Sequence, residues 1–453
     1  MPRDTMTNPD GPLDIAVIGA GVSGMAAAWL LAGRHRVTVY EQFDRIGGHV
    51  NTVDVAGPDG PIAVDTGFTV FNEINYPNFT ALLRHLGIAT RTTRLSLSAS
   101  LDDGAIEYGM PSVARLLGHP GNLLRSGYWR MLRDIRRFRR HTRVLLDQRG
   151  TDDLTLGAYL ANSGYSSEFI EHHLLPVAAT IWATAPSDMR SHPAAAFVRF
   201  ATSHGFLPMS GRSREWRMIV GGSHTYMQRL AASLAGCIQT RCAAVHVRRH
   251  PDAVTVVTEE GESRRHDHVV IATHADEAVA MLEDASFDEL RLLGAFTYSS
   301  NRAVLHRDAR LMPRRRRVWS SWNYVSGRDP RRRQQRVCLT YWLNALSGVD
   351  RRVPLFLTLN PHREPDPPAV EATFYYDHAS FHPTALRAQR ELPMLQGVRN
   401  TWYCGSYFGN GLHEDALVSG LAVGEALGGV RRPWATAAAA EPLGRLRVHR
   451  QTG

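Results

Sequence analysis

Asp14-Ile15-Ala16-Val17-Ile18-Gly19-Ala20-Gly21-Val22-Ser23-Gly24-Met25 decides the fold of this chain. The run Leu13–Ile18 is short, apolar and rich in β-branched residues, which reads as a buried strand. Three glycines then follow at the spacing GxGxxG, ahead of a helix-like run over 25–32. Arg36–Tyr40 reads as a second strand, closed by Glu41, 22 positions after Gly19. The glycines of this βαβ unit play different parts. Gly19 makes the tight turn, Gly21 lets backbone approach a pyrophosphate, and Gly24 lets the helix pack on the strand. The helix N-terminus offers free N–H groups to the phosphates, and a carboxylate at the end of the second strand holds ribose hydroxyls. Arg45-Ile46-Gly47-Gly48-His49 comes next, a glycine pair beside a basic residue that suits a further backbone cradle.

Outward from this unit the pattern changes. Residues from about 85 to 210 read as helical. Within them, Trp129–Arg143 places Trp129, Leu132, Ile135 and Phe138 near helical spacing, with arginines at most other positions. Such a basic amphipathic helix either packs on its own domain or meets anionic lipid headgroups. From Val220 strands return: Cys242–Val247 and Val254–Thr258 around Pro251-Asp252, then His268–Thr273. Further strands are read at Val318–Tyr324, Val337–Leu343 and Pro354–Leu359, with Arg314–Arg317 and Arg331–Arg333 as solvated loops. Thr401–Gly405 ends as a strand in glycine, followed by Gly409–Asp415 and a helix to about Leu427.

Composition narrows the function. The chain has 453 residues, 43% hydrophobic and 21% charged, which suits a globular protein of two or three domains. All 52 basic residues are arginine, so phosphate binding by a Walker lysine, Schiff-base chemistry and pyridoxal anchoring are excluded. Net charge +9 favours an anionic partner, yet the arginines are dispersed and no nucleic-acid module is readable. The four cysteines contain no CxxC pair, no secretory leader is visible, and no apolar run has membrane-spanning length; a cytoplasmic placement follows, with peripheral contact at the inner membrane face as a further option. No GxSxG elbow and no metal-ligand spacing occurs. His172-His173 reads as a pair of surface histidines, because neighbours on a helix diverge.

Taken in order, these motifs resemble the flavin amine oxidase, protoporphyrinogen oxidase and phytoene desaturase superfamily, and within it the bacterial branch of predicted NAD/FAD-binding oxidoreductases. The resemblance runs from about Asp14 to Leu427. It is carried by Gly19–Gly24, Glu41 with Arg45–His49, Val64-Asp65-Thr66-Gly67-Phe68, Gly221-Gly222-Ser223, His268–Thr273, Tyr403-Cys404-Gly405 and Gly411-Leu412-His413-Glu414-Asp415-Ala416. It implies an α/β fold: a Rossmann-like FAD-binding domain from three separated segments (1–84, 215–284, 393–433), a mixed α+β substrate domain (85–214, 285–392) and a flexible tail (434–453).

The same resemblance implies non-covalent FAD. Gly19, Gly21 and Gly24 would meet the pyrophosphate, Glu41 the adenosine ribose, and Arg45, Gly47 and Gly48 the phosphate–ribityl region. Val245 would meet adenine through its backbone and Gly405 the ribityl phosphate. The backbone at His413 and Glu414 would face the flavin N1/C2=O edge, where a helix N-terminus stabilises negative charge. Two departures stand out: His49 occupies a position where many relatives have arginine, and the lysine that amine oxidases place near flavin N5 is absent. With one dinucleotide fingerprint, the flavin is expected to be reduced by substrate and reoxidised by O₂ or a quinone. Trp182, Tyr341, Trp342 and Tyr407 are candidates for an apolar pocket over the flavin, among further aromatic residues at 322, 324 and 408. Dehydrogenation of an acyl chain or isoprenoid is the expected chemistry, with oxidation of an amine or amino acid as the alternative.

Overall fold

In the computed structural model the described residues are 11–110, 112–147, 154–182, 186–206, 214–328 and 335–435. The strand Asp14–Ile18 lies at the centre of a five-stranded parallel sheet. Its order is Thr401–Tyr403, His268–Ile271, Asp14–Ile18, Arg36–Tyr40, Ile238–Gln239. Being covered on both faces, the central strand is apolar throughout: Ile15, Ala16 and Val17 have no accessible surface. The helix Val22–Leu31 packs on one face and is itself covered by the helix His413–Ala426. The two helices touch through small residues. A side chain at Gly420 would fall on the Ser23 carbonyl, and one at Gly424 would come within 3.1 Å of the Ala27 carbonyl. The other face carries the antiparallel sheet 244–249, 254–258 and 263–266 and the helices Ala275–Met281 and Phe287–Leu293.

A seven-stranded mixed sheet forms the second layer system. Its order is Val370–Ser380, Thr297–His306, Phe356–Leu359, Gln335–Trp342, Trp322–Arg328, Leu97–Leu101, Ile106–Met110. The helices between 126 and 203 pack against it through Met131, Phe138, Phe169, Leu175 and Phe197, which meet Ala99, Tyr108, Tyr324 and Leu357 from the sheet.

Three expectations are corrected here. The stretch 85–210 is not uniformly helical, because Thr90–Thr93, Leu97–Leu101 and Ile106–Met110 are strands. Leu97-Ser98-Ala99-Ser100-Leu101 is buried on both sides, and its serines are matched by Asn323 Oδ1 at 2.7 Å and Glu107 Oε1 at 2.9 Å. One partner comes from the neighbouring hairpin strand and the other from a strand 225 positions away. Arg314–Arg317 is not simply a solvated loop: the backbone N–H groups of Arg314 and Arg315 and the Arg315 guanidinium all donate to the fully buried Glu107 carboxylate. His173 is buried, not on the surface; its Nδ1 lies 3.1 Å from the Tyr108 hydroxyl, and burial lowers its pKa to about 3.

The basic helix spans Ser126–Asp147. Leu132, Ile135 and Phe138 sit in the core, while Trp129 is half exposed. At the other end of the chain, Trp434 stacks on Trp29 at 5.9 Å and donates to Asn78 Oδ1. Arg331–Arg333 and residues beyond 435 lie outside the described part.

Candidate functional site

The GxGxxG turn takes the form its glycines permit. Gly19 has φ +98°, a conformation that strains any other residue. A side chain at Gly24 would strike the Gly19 carbonyl and crowd the Ala272 methyl at 3.1 Å, so this glycine serves packing. Gly21 differs: its backbone is extended, φ −69° and ψ 176°, and a side chain there would meet nothing within 4 Å. The open space lies over the N-terminus of Val22–Leu31, which no side chain caps. Gly47 pairs with Gly21 in an isolated bridge, its N–H donating to the Ala20 carbonyl at 2.8 Å. Gly48 faces Gly21 closely enough that a side chain would come within 3.5 Å of its Cα. Two glycine segments thus form one bare backbone cradle, which fits a pyrophosphate.

Glu41 is buried beside this cradle, accepting the Ala20 N–H at 2.8 Å on one oxygen and the Phe43 N–H at 3.0 Å on the other. Arg45 folds back over the loop and donates to the Gly48 carbonyl at 2.9 Å. Val245 sits at a bulge: Ala244 pairs with Thr258 and His246 with Val257, leaving Val245 without a ladder partner. Gly405 follows the last parallel strand, its N–H held by Ser419 Oγ at 3.0 Å.

The motif after the hairpin 52–65 closes the site. Asp65 accepts from Thr52 Oγ1 at 2.6 Å, the Ser223 N–H at 2.8 Å and Ser223 Oγ at 2.7 Å, so one carboxylate ties its own motif to Gly221-Gly222-Ser223 and to the paired hairpin strand. Burial raises its pKa against these hydrogen bonds. A side chain at Gly67 would fall on the His49 carbonyl, which accepts the Phe68 N–H at 2.8 Å. Phe68 in turn stacks on His413, whose Nε2 is 2.8 Å from the Tyr226 hydroxyl.

Of the two residues expected at the flavin edge, His413 opens the last helix. The Glu414 side chain turns away. It accepts the Asn78 and Phe79 N–H groups at 2.8 and 2.9 Å and so caps the helix Pro77–His85. Asp415 does the same for its own turn, taking the Asn410 and Leu412 N–H groups on one oxygen at 2.9 Å.

Of the four pocket candidates, the three with described side chains do not converge. Tyr341 and Trp342 are neighbours on one strand and face opposite sides of the sheet. Tyr341 meets Trp322 at 5.6 Å, while Trp342 meets Trp319 at 5.4 Å. Tyr407 is packed in a different core with Phe296 and Phe381. The Trp182 side chain lies outside the described residues.

Residues that sequence reading did not single out come from the strands Thr297–His306 and Val370–Ser380. His49 turns to this side, with Tyr376 at 5.3 Å, His378 at 5.5 Å and His274 at 6.3 Å. The Tyr376 hydroxyl is bracketed by Asn51 Nδ2 at 2.9 Å and Thr66 Oγ1 at 2.7 Å. The alternation Phe374-Tyr375-Tyr376-Asp377-His378 was the available signal. His49, His378, His413 and Tyr341 are each half-buried. Burial lowers the pKa of His49 and His413 to about 3 and of His378 to about 4, so the imidazoles are neutral. Among the described residues no group of His, Cys, Asp or Glu side chains could hold a metal ion, and no helix is long and apolar enough to cross a membrane.

Comparison with known proteins agrees with this architecture. A flavin-containing monoamine oxidase, AofH, of Mycobacterium tuberculosis is similar at 27% identity over 282 residues. That match covers 57% of this chain and 56% of the relative, so it spans little more than half of either protein. An L-amino-acid oxidase of Bungarus fasciatus is 47% identical over 51 residues, 11% of this chain and 10% of the relative. Among solved structures, a triple mutant of putrescine oxidase superposes with TM-score 0.63 at 16% identity, covering 92% of this chain and 99% of the other. The CLA-producing fatty acid isomerase from P. acnes superposes with TM-score 0.63 at 17% identity, covering 92% and 98%. At these identities the structures share the fold alone. The sequence profile described as flavin containing amine oxidoreductase matches residues 22–348, most of the chain. The chain belongs to this flavin-containing family of oxidoreductases, and FAD is its cofactor.

Proposed function

We propose that this protein is an FAD-dependent enzyme of the desaturase or oxidase type that dehydrogenates a carbon–carbon bond of an apolar, lipid-like substrate, an acyl chain or isoprenoid. Bound flavin supplies the hydride acceptor at N5; the chain supplies orientation and dryness. A file of rings carries this reading. His413, Phe68, Tyr76, His204, Trp216, Phe206, Trp322 and Tyr341 follow one another with each centroid within 6.4 Å of the next. It leads from the last helix to the seven-stranded sheet. The two imidazoles in it are held neutral by burial, His204 at a pKa of about 4. Phe68, Phe206, Trp322, Tyr341 and His413 keep part of their surface accessible, while Tyr76, His204 and Trp216 are packed in the core between them; a small amine needs one or two such faces, and an extended apolar molecule can meet several.

Polar atoms along it suggest how one end of the substrate is marked. Asn72 Nδ2, His204 Nε2 and Trp322 Nε1 are buried without hydrogen-bond partners. Asn72 stands opposite Trp216 across the Phe71–Arg217 bridge, on the side where Trp216 approaches His204. With its Nδ1 donating to the Phe200 carbonyl, His204 offers Nε2 as an acceptor. A donor at Asn72 and an acceptor at His204 suit a hydroxyl or amide, whereas an ammonium satisfies only the acceptor.

Oxidation of an amine or amino acid is the second reading, supported by what the relatives are named for. An amino acid needs a free guanidinium for its carboxylate. Arg45 is held by the Gly48 carbonyl, and Arg217 by Thr90, Glu215 and Glu73. Anaerobic mixing separates the readings. Unsaturated fatty acids or isoprenoids should bleach the visible flavin band and leave a product two mass units lighter, with O₂ or a quinone restoring the colour. Bleaching by a panel of amines or amino acids, and not by lipids, would replace this reading with the second. Rapid bleaching by NADH or NADPH would make the protein a reductase.

A further inference from the structure

We propose that the surface formed by Leu123, Leu124 and Trp129 with Arg133, Arg136 and Arg140 docks this protein on an anionic lipid surface. Leu124 is 90% exposed, Trp129 51% and Leu123 40%. They are one patch, because the Trp129 indole N–H donates to the Leu123 carbonyl at 2.9 Å. That bond satisfies the polar edge of the indole within the protein. Scattered exposed apolar residues need no explanation; three large ones in contact do.

The adjoining charge has a defined geometry. The helix Ser126–Asp147 buries Met131, Leu132, Ile135 and Phe138. Positions 129, 133, 136 and 140 follow the helical repeat on the opposite face, and all four residues there are exposed. Two other arginines of the same helix, Arg130 and Arg137, are occupied. Arg130 pairs with Glu168, and Arg137 donates to the Ser163 and Gly164 carbonyls while lying 4.8 Å over the Tyr165 ring. Asp134, between these positions in sequence, is buried off the exposed face and accepts the Ser166 N–H at 2.9 Å; Arg133 touches it from outside. The exposed face is therefore basic along its length and apolar at one end.

A bilayer bearing anionic headgroups complements both halves. Arginines meet phosphates, while an indole and two leucines enter the interfacial layer. A soluble polyanion meets only the arginines and leaves Leu124 in water. The proposal is independent of which substrate the flavin oxidises.

The full chain is sedimented with vesicles of phosphatidylcholine alone and of phosphatidylcholine with phosphatidylglycerol in equal parts. Binding is expected only to the second, and it should fall at about 1 M salt, where the Debye length is about 3 Å. Replacing Arg133, Arg136 and Arg140 by Gln should weaken binding about a hundredfold, since each cation near such a surface is worth about fivefold. Leu124→Asp should weaken it about tenfold or more with melting temperature and flavin content unchanged. Equal binding to both vesicles, or no effect of either variant, overturns the proposal. Retention on duplex DNA or heparin that Leu124→Asp leaves unchanged, with no vesicle binding, overturns it in favour of a soluble polyanion.

Discussion

The ring of Phe68 lies face to face with the imidazole of His413, 3.8 Å between centroids and 12° between planes. This stack fastens the turn after Asp65 to the N-terminus of the last helix, and Phe79 packs edge-on against both rings. Phe68→Ala should lower unfolding free energy by about 2 kcal/mol, less than a fully buried Phe because the ring is partly accessible. Phe68→Leu should recover most of that loss in urea titrations. Both variants should alter the visible flavin spectrum if the helix end meets the flavin.

Gly21 and Gly24 separate binding from folding. A side chain at Gly21 enters open space, so Gly21→Val should fold with an unchanged far-ultraviolet spectrum and be purified colourless. A side chain at Gly24 strikes the Gly19 carbonyl, so Gly24→Ala should lower the melting temperature instead. Full flavin occupancy in Gly21→Val would mean that the pyrophosphate lies elsewhere.

Glu414 tests whether its side chain serves the helix Pro77–His85 or the cofactor. Glu414→Ala leaves the buried Asn78 and Phe79 N–H groups unmatched, at a cost of about 2 kcal/mol. Glu414→Gln keeps an acceptor and should cost less. Flavin affinity, measured by dialysis of folded protein, should track stability rather than charge; a large loss of affinity in Glu414→Gln at unchanged stability would place the carboxylate at the cofactor.

Asp415 carries a pH signature. Burial raises its pKa to about 7 despite the Leu412 and Asn410 N–H groups. The folded state therefore holds a proton that the unfolded chain releases near 4, and stability falls as pH rises from about 4 to about 7. Both N–H groups donate to the same oxygen, so Asp415→Asn can keep both bonds. The variant's melting temperature should rise relative to the parent across that window and level off above it. A constant difference would show that Asp415 is already ionised in the fold.

What the sequence by itself determined about this protein is local. Gly19, Gly21, Gly24 and Glu41 act within one βαβ unit, where backbone sterics and a helix N-terminus dictate residue type. The strand before Gly405 and the helix that begins at His413 are legible from local pattern too; their cofactor roles come from the resemblance. Tertiary structure decided the rest. Ser98 is satisfied inside the sheet by Asn323, 225 positions away. Arg137 leaves the basic face only because Ser163, Gly164 and Tyr165 are near. The ring file draws on positions from 68 to 413, and His49 faces Tyr376 and His378 across more than three hundred residues. Residue spacing encodes the period of a helix or strand. Which distant side chain satisfies a buried polar group, and which rings meet, depends on how separate segments pack, and no local pattern carries that information.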